Sequence, residues 1–241
     1  MILDGKRLTG QAELQDALKA LLEKPKFNEI VESLQKVVKF GKDELEMKLV
    51  YIFDTRSYLD GALTTGKITV VRAAERIQIR HIVLTEKNGK VVGEDYTIDT
   101  INEKGGLTVF GYNKELEEVA SSTHGGYEFL ETSVNEELID NKEFAPFSTV
   151  KEEGWGIPFC LAGGYKHCGP GCGDGLTFGG GTPINAIDYC CRSHDRCWSQ
   201  FGENDACCDK NLVSCAKANR SAGPVASDLI VAWFSSNANK C

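Results

Sequence analysis

One short segment of the chain combines residue types that could carry acid–base chemistry: residues 190–197 contain three cysteines, one histidine and one aspartate. On a helix Cys190, His194 and Cys197 occupy positions i, i+4 and i+7, so they share one face. Asp195 then points about a quarter turn away. Cysteines that fasten this helix to a neighbour would hold the histidine rigidly between them. A histidine fixed in this way is typical of a general base.

A second cysteine-containing segment, residues 207–215, repeats the same spacing of seven residues between two cysteines. Equal spacing allows two antiparallel helices to be joined by two disulfides without distortion. The expected pairs are Cys190–Cys215 and Cys197–Cys208. In that register Asp209 lies about 3 Å of helical rise from the position opposite His194. A carboxylate there would fix the tautomer of the imidazole and stabilise the imidazolium.

A glycine-rich segment upstream, residues 167–175, has glycine at alternate positions. Such a segment can turn sharply and present its backbone carbonyls to one point. Calcium takes six to eight oxygen ligands, and backbone carbonyls are among them. Loop carbonyls together with the carboxylate of Asp195 would form most of such a shell. A disulfide between Cys168 and Cys191 would tie this loop to the histidine-containing helix.

These segments resemble the secreted, calcium-dependent phospholipases A2. The pattern Cys-Cys-x-x-His-Asp-x-Cys is complete in residues 190–197, and residues 167–171 meet the pattern x-Cys-Gly-x-Gly. Residues 183–188 also resemble the family's entry into its active-site helix. The resemblance covers about a third of the chain, from about residue 160 to residue 241. It implies a mainly helical, disulfide-rich fold with two stapled antiparallel helices.

The resemblance also implies a role for each matching residue. His194 would be the general base, Asp209 its partner, and the N–H group of Gly169 a donor to the oxyanion. The implied calcium ligands are the Asp195 carboxylate and the carbonyls of His167, Gly169 and Gly171. The implied reaction is hydrolysis of the sn-2 ester of a glycerophospholipid by water, at the surface of a membrane or micelle. The chain has no Gly-x-Ser-x-Gly motif, which would favour a serine hydrolase instead.

The chain departs from the family in two places. The stretch that leads to Pro183 is long and contains Gly179, Gly180 and Gly181, which is nearer to the bee-venom type in spacing. Trp198 follows the active-site motif where many members have a tyrosine that helps to hold the aspartate. Because an indole donates only one hydrogen bond and is larger than a phenol, the support of Asp209 is expected to differ.

Two other interpretations account for the same cluster. One is a catalytically silent phospholipase A2-like toxin or binding module, which loss of His194, Asp195 or Asp209 would indicate; all three are present. The other is a zinc site, but such sites usually have Cys-x2-Cys pairs. Adjacent cysteines, as at positions 190–191 and 207–208, favour stapling of helices.

Composition divides the chain into two parts. All ten cysteines follow residue 154, and residues 160–241 carry balanced charge, so the net charge of −8 belongs to the first part. We predict an α+β domain at residues 1–120 that is a pro-segment or accessory domain, a connector at 121–154, and a phospholipase A2-like domain at 155–241. The cysteine content indicates an oxidising compartment and a secreted protein. Three pairings remain open for Cys160, Cys172, Cys207 and Cys241.

The first part is predicted to form an antiparallel sheet with helices on one face. Apolar spacing predicts helices at residues 11–23 and 27–40, and a short helix at 113–120. Alternation and turn residues predict strands at residues 49–53, 68–71, 77–83, 91–92, 96–101 and 107–112. A further helical piece is expected at residues 134–140. No internal repeat is evident.

Several sequence features limit the partners and the compartment. The chain is acidic and has no basic stripe, which argues against nucleic-acid binding. It has no apolar run that could span a bilayer, and residues 1–6 do not look like a signal peptide. We expect either a signal removed ahead of this sequence or another export route.

Apolar residues near the loop could form core or an acyl channel: Trp155, Ile157, Phe159 and Leu161. Residues 225–234 are expected to form a core helix.

Overall fold

The computed structural model describes residues 2–56, 62–135, 138–148, 160–161, 164–169, 171–176 and 178–241. An antiparallel sheet of seven strands in sequential order forms the N-terminal part. Its strands are β1 (Ile2–Leu8), β2 (Glu46–Arg56), β3 (Leu63–Ala73), β4 (Ile77–Glu86), β5 (Val91–Ile101), β6 (Gly106–Asn113) and β7 (Glu115–Gly125). The helices are α1 (Gln11–Leu22), α2 (Pro25–Gln35), α3 (Gly126–Ser133), α4 (Ala186–Phe201), α5 (Ala206–Ala218) and α6 (Pro224–Ala238). The predicted fold class, an α+β part followed by a helical, disulfide-rich part, is confirmed.

The central strands are buried on both faces because helices cover both. Alternate residues of β2 point to opposite sides: Val50 packs with α1 and α2, whereas Leu49 and Tyr51 pack with α6. Strands that are covered on both faces have nearly continuous apolar sequences. The sheet is therefore the middle of three layers, with α1 and α2 on one face and α6 of the C-terminal part on the other.

The structure corrects two predicted helices. Residues 115–120 belong to strand β7 and not to a helix, and Lys114 takes φ 67° in the turn that precedes the strand. Backbone pairing with β6 overrides the local helical preference. The described residues of the predicted helical piece, 134–135 and 138–140, form no helix. Residues 121–133, assigned above to the connector, lie instead in β7 and α3.

Strand β1 was not predicted, because its sequence has no clear alternation and contains an Asp-Gly pair. It forms the edge of the sheet beside β2. Gly5 makes this close approach possible, since a Cβ atom there would lie 2.6 Å from the hydroxyl of Tyr51. Helix α1 ends before Pro25, and Pro25 begins α2 at a position where its missing N–H group costs nothing.

The helices of the C-terminal part pack against each other, and α6 also covers the sheet. Residues 225–234, predicted to be a core helix, lie in α6, and most of them are buried. In the described ranges, no helix combines the length and apolar character that a membrane crossing requires.

Candidate active site

The site is organised around one pair of side chains, His194 of α4 and Asp209 of α5. The Nε2 atom of His194 lies 2.8 Å from Oδ1 of Asp209, and both side chains are buried. Side-chain caps fix the starts of both helices. Asn185 accepts a hydrogen bond from the N–H group of Asp188 at 2.9 Å, and Asp205 caps α5 in the same way. The contact that the cysteine register predicted is therefore present.

Five disulfides hold this part together, and the three expected pairs are all among them. The expected pairs are Cys190–Cys215, Cys197–Cys208 and Cys168–Cys191. The pairing that the sequence left open is Cys160–Cys172 with Cys207–Cys241. Two bridges thus join α4 to α5 on either side of His194, and a third ties the glycine-rich loop to α4.

Burial favours the neutral form of the histidine. Desolvation lowers the pKa of His194, and the hydrogen bond with Asp209 opposes this effect. An ionised Asp209 selects the tautomer in which Nε2–H donates, which leaves Nδ1 free of its proton. The pair can therefore accept a proton at Nδ1 and share the resulting positive charge with the carboxylate.

Two more side chains hold Asp209. The indole of Trp198 donates to Oδ1 at 3.1 Å, and the amide of Asn237 donates to Oδ2 at 2.8 Å. The sequence indicated Trp198 but missed Asn237, which lies 28 residues from Asp209 in the chain, near the end of α6. No local motif marks that residue.

A buried carboxylate that the sequence did not indicate anchors the glycine-rich loop. Asp188, in the first turn of α4, accepts hydrogen bonds from the backbone N–H groups of His167 at 2.8 Å and Ile184 at 3.0 Å. It also accepts from the N–H group of Lys166 at 3.0 Å. An aspartate in the first turn of a helix is a usual cap residue, so only the folded loop reveals this second role.

A small cavity lies beside the histidine. Its volume is about 20 Å³, which is room for about one water molecule. Its lining combines polar residues of the site with apolar residues of α5, α6 and the loop. Leu161 is part of that lining. Trp155, Ile157 and Phe159, grouped with it above, lie outside the described residues.

The carboxylate of Asp195 faces the glycine-rich loop and is only partly satisfied. Its Oδ2 atom is buried, and no donor in the described part of the chain reaches it. Burial, together with the negative charges of Asp174 and Asp188, raises its pKa to about 7. At Gly173, with φ 156°, a Cβ atom would lie 2.9 Å from this oxygen. The loop therefore leaves room for the carboxylate only because a side chain is missing there.

The donor chemistry around Asp195 fits a hard cation. The carbonyls of Gly169 and Gly171 accept hydrogen bonds at 3.1 Å from the N–H groups of Cys172 and Phe178, and each retains a second lone pair. Among the described residues no three side chains of His, Cys, Asp or Glu converge on one point. A cation here would depend on the Asp195 carboxylate and on backbone carbonyls.

The imidazole of His167 points elsewhere. Its Nε2 atom lies 2.9 Å from the carbonyl of Gly181, and the side chain is buried. This contact joins the two ends of the glycine-rich stretch. The backbone carbonyl of His167 stays the predicted ligand, while the Nδ1 atom of its ring is buried with no hydrogen-bond partner among the described residues.

The chain is similar over part of its length to phospholipases A2. It is 46% identical over 55 residues to the acidic phospholipase A2 homolog taipoxin gamma chain of Oxyuranus scutellatus scutellatus, covering 23% of this chain and 32% of that one. It is 41% identical over 79 residues to the basic phospholipase A2 beta-bungarotoxin A2 chain of Bungarus caeruleus, covering 33% and 46%. For the phospholipase A2 of Bos taurus the values are 33% over 64 residues, covering 20% and 43%.

Each of these three matches covers a third of this chain or less. The chain spans less than half the length of each of these three proteins. No protein-family model matches it, and no solved structure gives a significant match. The N-terminal sheet is therefore unrecognised.

Proposed function

We propose that this protein is a calcium-dependent phospholipase A2, which hydrolyses the sn-2 ester of glycerophospholipids to a lysophospholipid and a fatty acid. The observation that carries the proposal is the buried His194–Asp209 pair at 2.8 Å beside a cavity that holds about one water. The partial similarity to phospholipases A2 supports the same conclusion.

The reaction requires one proton to move from the attacking water to His194 and then to the leaving glycerol oxygen. Nδ1 of His194 takes a proton from a water in the cavity as the water oxygen bonds to the ester carbonyl carbon. Asp209 stabilises the imidazolium that results. His194 then gives the proton to the glycerol oxygen as the ester bond breaks. The N–H group of Gly169, which lines the cavity, would donate to the oxyanion.

The cation would be held by the carboxylate of Asp195 and by the carbonyls of His167, Gly169 and Gly171. When bound there, calcium would supply positive charge opposite the phosphate of the substrate and the developing oxyanion. The buried, unpartnered Oδ2 atom of Asp195 supports this assignment. A buried carboxylate oxygen lowers the stability of the folded protein unless a donor or a cation reaches it.

Exposed apolar side chains near the loop support binding at a lipid surface. Leu176 and Phe178 follow the loop, and Ile184 and Tyr189 lie at the start of α4; all four are exposed. Apolar side chains grouped on a surface are typical of interaction sites.

Five disulfides support secretion into an oxidising compartment. The N-terminal part would support, inhibit or target the enzyme.

The alternative is a catalytically silent binding protein. One relative carries the word homolog in its name, and the cavity beside His194 is too small for an acyl chain. A silent protein would keep the scaffold and the calcium site without turnover.

The test is release of fatty acid from a phospholipid labelled at the sn-2 position, with calcium, with chelator, and with His194→Gln. We expect calcium-dependent release that falls by about 10²–10⁴ in the variant, because general-base catalysis contributes that much. Ser193→Ala is the matched control, since this neighbour on α4 is exposed. Calcium binding without any release by the wild-type chain would favour the silent protein.

A further inference from the structure

Helix α6 lies between the N-terminal sheet and the candidate active site. On one side Val225, Leu229 and Ala232 pack with the sheet. The approach is so close that a Cβ atom at Gly93 of β5 would lie 2.5 Å from the carbonyl oxygen of Ala232. The position of α6 is therefore set by the sheet.

On the other side α6 contacts the catalytic pair. The ring of Phe234 lies 5.1 Å from the ring of His194 in an edge-on arrangement. Ile230 and Trp233 line the same cavity. A helix that the sheet holds thus forms one wall of the site.

A buried ionic contact fixes the helix further. Asp228 of α6 accepts hydrogen bonds from Arg80 of β4 at 2.9 Å and from Arg220 at 3.1 Å. All three side chains are almost completely buried, with 1–4% of each exposed. Because a buried charge is costly without its partner, the helix cannot move away from the sheet at low cost.

The last turn of α6 carries Asn237, whose amide donates two hydrogen bonds. One goes to Oδ2 of Asp209 at 2.8 Å and the other to the carbonyl of Asn204 at 2.9 Å. Since His194 and Trp198 both contact Oδ1, Asn237 is the described donor that fixes the second oxygen. It thereby sets the rotation of the carboxylate that orients the imidazole.

We propose that Asn237 is a positioning residue for the His194–Asp209 pair, carried into place by a helix that the N-terminal sheet holds. The inference rests on the proposed function only for its kinetic consequence. The amide touches neither the water nor the ester in this role. Its loss should therefore lower kcat about tenfold and leave KM within about twofold, because it alters the orientation of the base.

The sharpest variant is Asn237→Asp, which keeps the shape of the side chain but replaces the donor by a second carboxylate beside Asp209. Asn239→Asp is the matched control, since it makes the same change of charge at an exposed position two residues further on. Asn237→Ala removes the donor without adding charge, and it decides the question if the aspartate variant does not fold.

The readout that needs no activity is the proton NMR signal of the His194 Nε2–H group, which a strong hydrogen bond to Asp209 shifts far downfield. His194→Gln assigns it. We expect Asn237→Asp and Asn237→Ala to shift or broaden the signal, and Asn239→Asp to leave it unchanged. An unchanged signal in a folded Asn237→Ala variant overturns the proposal. If the wild-type chain releases no fatty acid, the proposed function fails, but this signal still decides the role of Asn237.

Discussion

At the residue scale, three neighbouring carboxylates behave differently because their donors differ. Asp188 accepts three backbone N–H groups, whereas Oδ2 of Asp195 has no donor among the described residues. Asp174 is exposed and accepts from the N–H group of Gly181. Burial, with the negative charges of Asp174 and Asp188, raises the pKa of Asp195 to about 7. A carboxylate left in this condition is suited to a cation.

Asp195→Asn should therefore have opposite effects with and without calcium. The folded pKa of about 7 exceeds the ordinary 3.8, so the charged form is penalised as pH rises through that window. Without calcium, the variant should gain on the order of 1–2 kcal/mol of stability at pH 8 and nothing below about pH 4. With calcium, only the wild type should gain stability, because the proposed site requires the carboxylate of Asp195.

Thermal unfolding at both pH values, with calcium and with chelator, measures these effects. Glu203→Gln is the control, as an exposed carboxylate elsewhere on the surface. A calcium-induced rise in Tm that is equal in Asp195→Asn and in the wild type would refute the assignment of this ligand.

At the element scale, the contact between α6 and β5 depends on the absence of one side chain. Gly93 leaves room for the backbone of Ala232, and backbone cannot rotate away as a side chain can. The position of the helix relative to the strand is consequently fixed. The proposed role of Asn237 makes the His194–Asp209 pair depend on this packing.

Gly93→Ala should push α6 away from the sheet. We expect a loss of about 1–3 kcal/mol, as is usual for overpacking, together with a broadened His194 Nε2–H signal. Gly111→Ala on β6 is the matched control, since its Cβ would meet only ordinary contacts, the nearest at 3.5 Å. Urea unfolding and the NMR signal are the measurements; equal losses in both variants would contradict the close contact.

At the scale of the whole molecule, a buried group of four charges joins the two parts. Arg80 and Asp99 come from the sheet, and Arg220 and Asp228 come from the C-terminal part. Each charge is more than nine-tenths buried. A pro-segment that left the protein would expose Arg220 and Asp228 together with the apolar face of α6. The N-terminal part is thus a structural layer of the same core.

Asp228→Asn should cost about 3–5 kcal/mol, because two buried arginines then share a single carboxylate. Glu131→Gln is the control, since it neutralises an exposed carboxylate that pairs with Arg72 and should cost less than about 1 kcal/mol. Denaturation followed by tryptophan fluorescence and by far-ultraviolet circular dichroism measures both. All three tryptophans belong to the second part of the chain. A loss below about 1 kcal/mol in Asp228→Asn would show that the cluster does not couple the two parts.

The sequence alone determined the features that depend on spacing along one element. The register of two helices predicted two disulfides and the contact of His194 with Asp209, because helical geometry repeats over a few residues. The alternation of apolar and polar residues likewise predicted the central strands. Composition identified the cysteine-rich part and its separation from the acidic one.

Only the tertiary structure decided the features that join distant segments. Residues 115–120 became a strand because β6 offered its backbone, which local propensity does not register. Arg80 and Asp228 meet across 148 residues, and Asn237 reaches Asp209 across 28. Neither contact has a periodic pattern in the sequence. The physical reason is that such contacts arise from the packing of whole elements, and their energy exists only once those elements are in place.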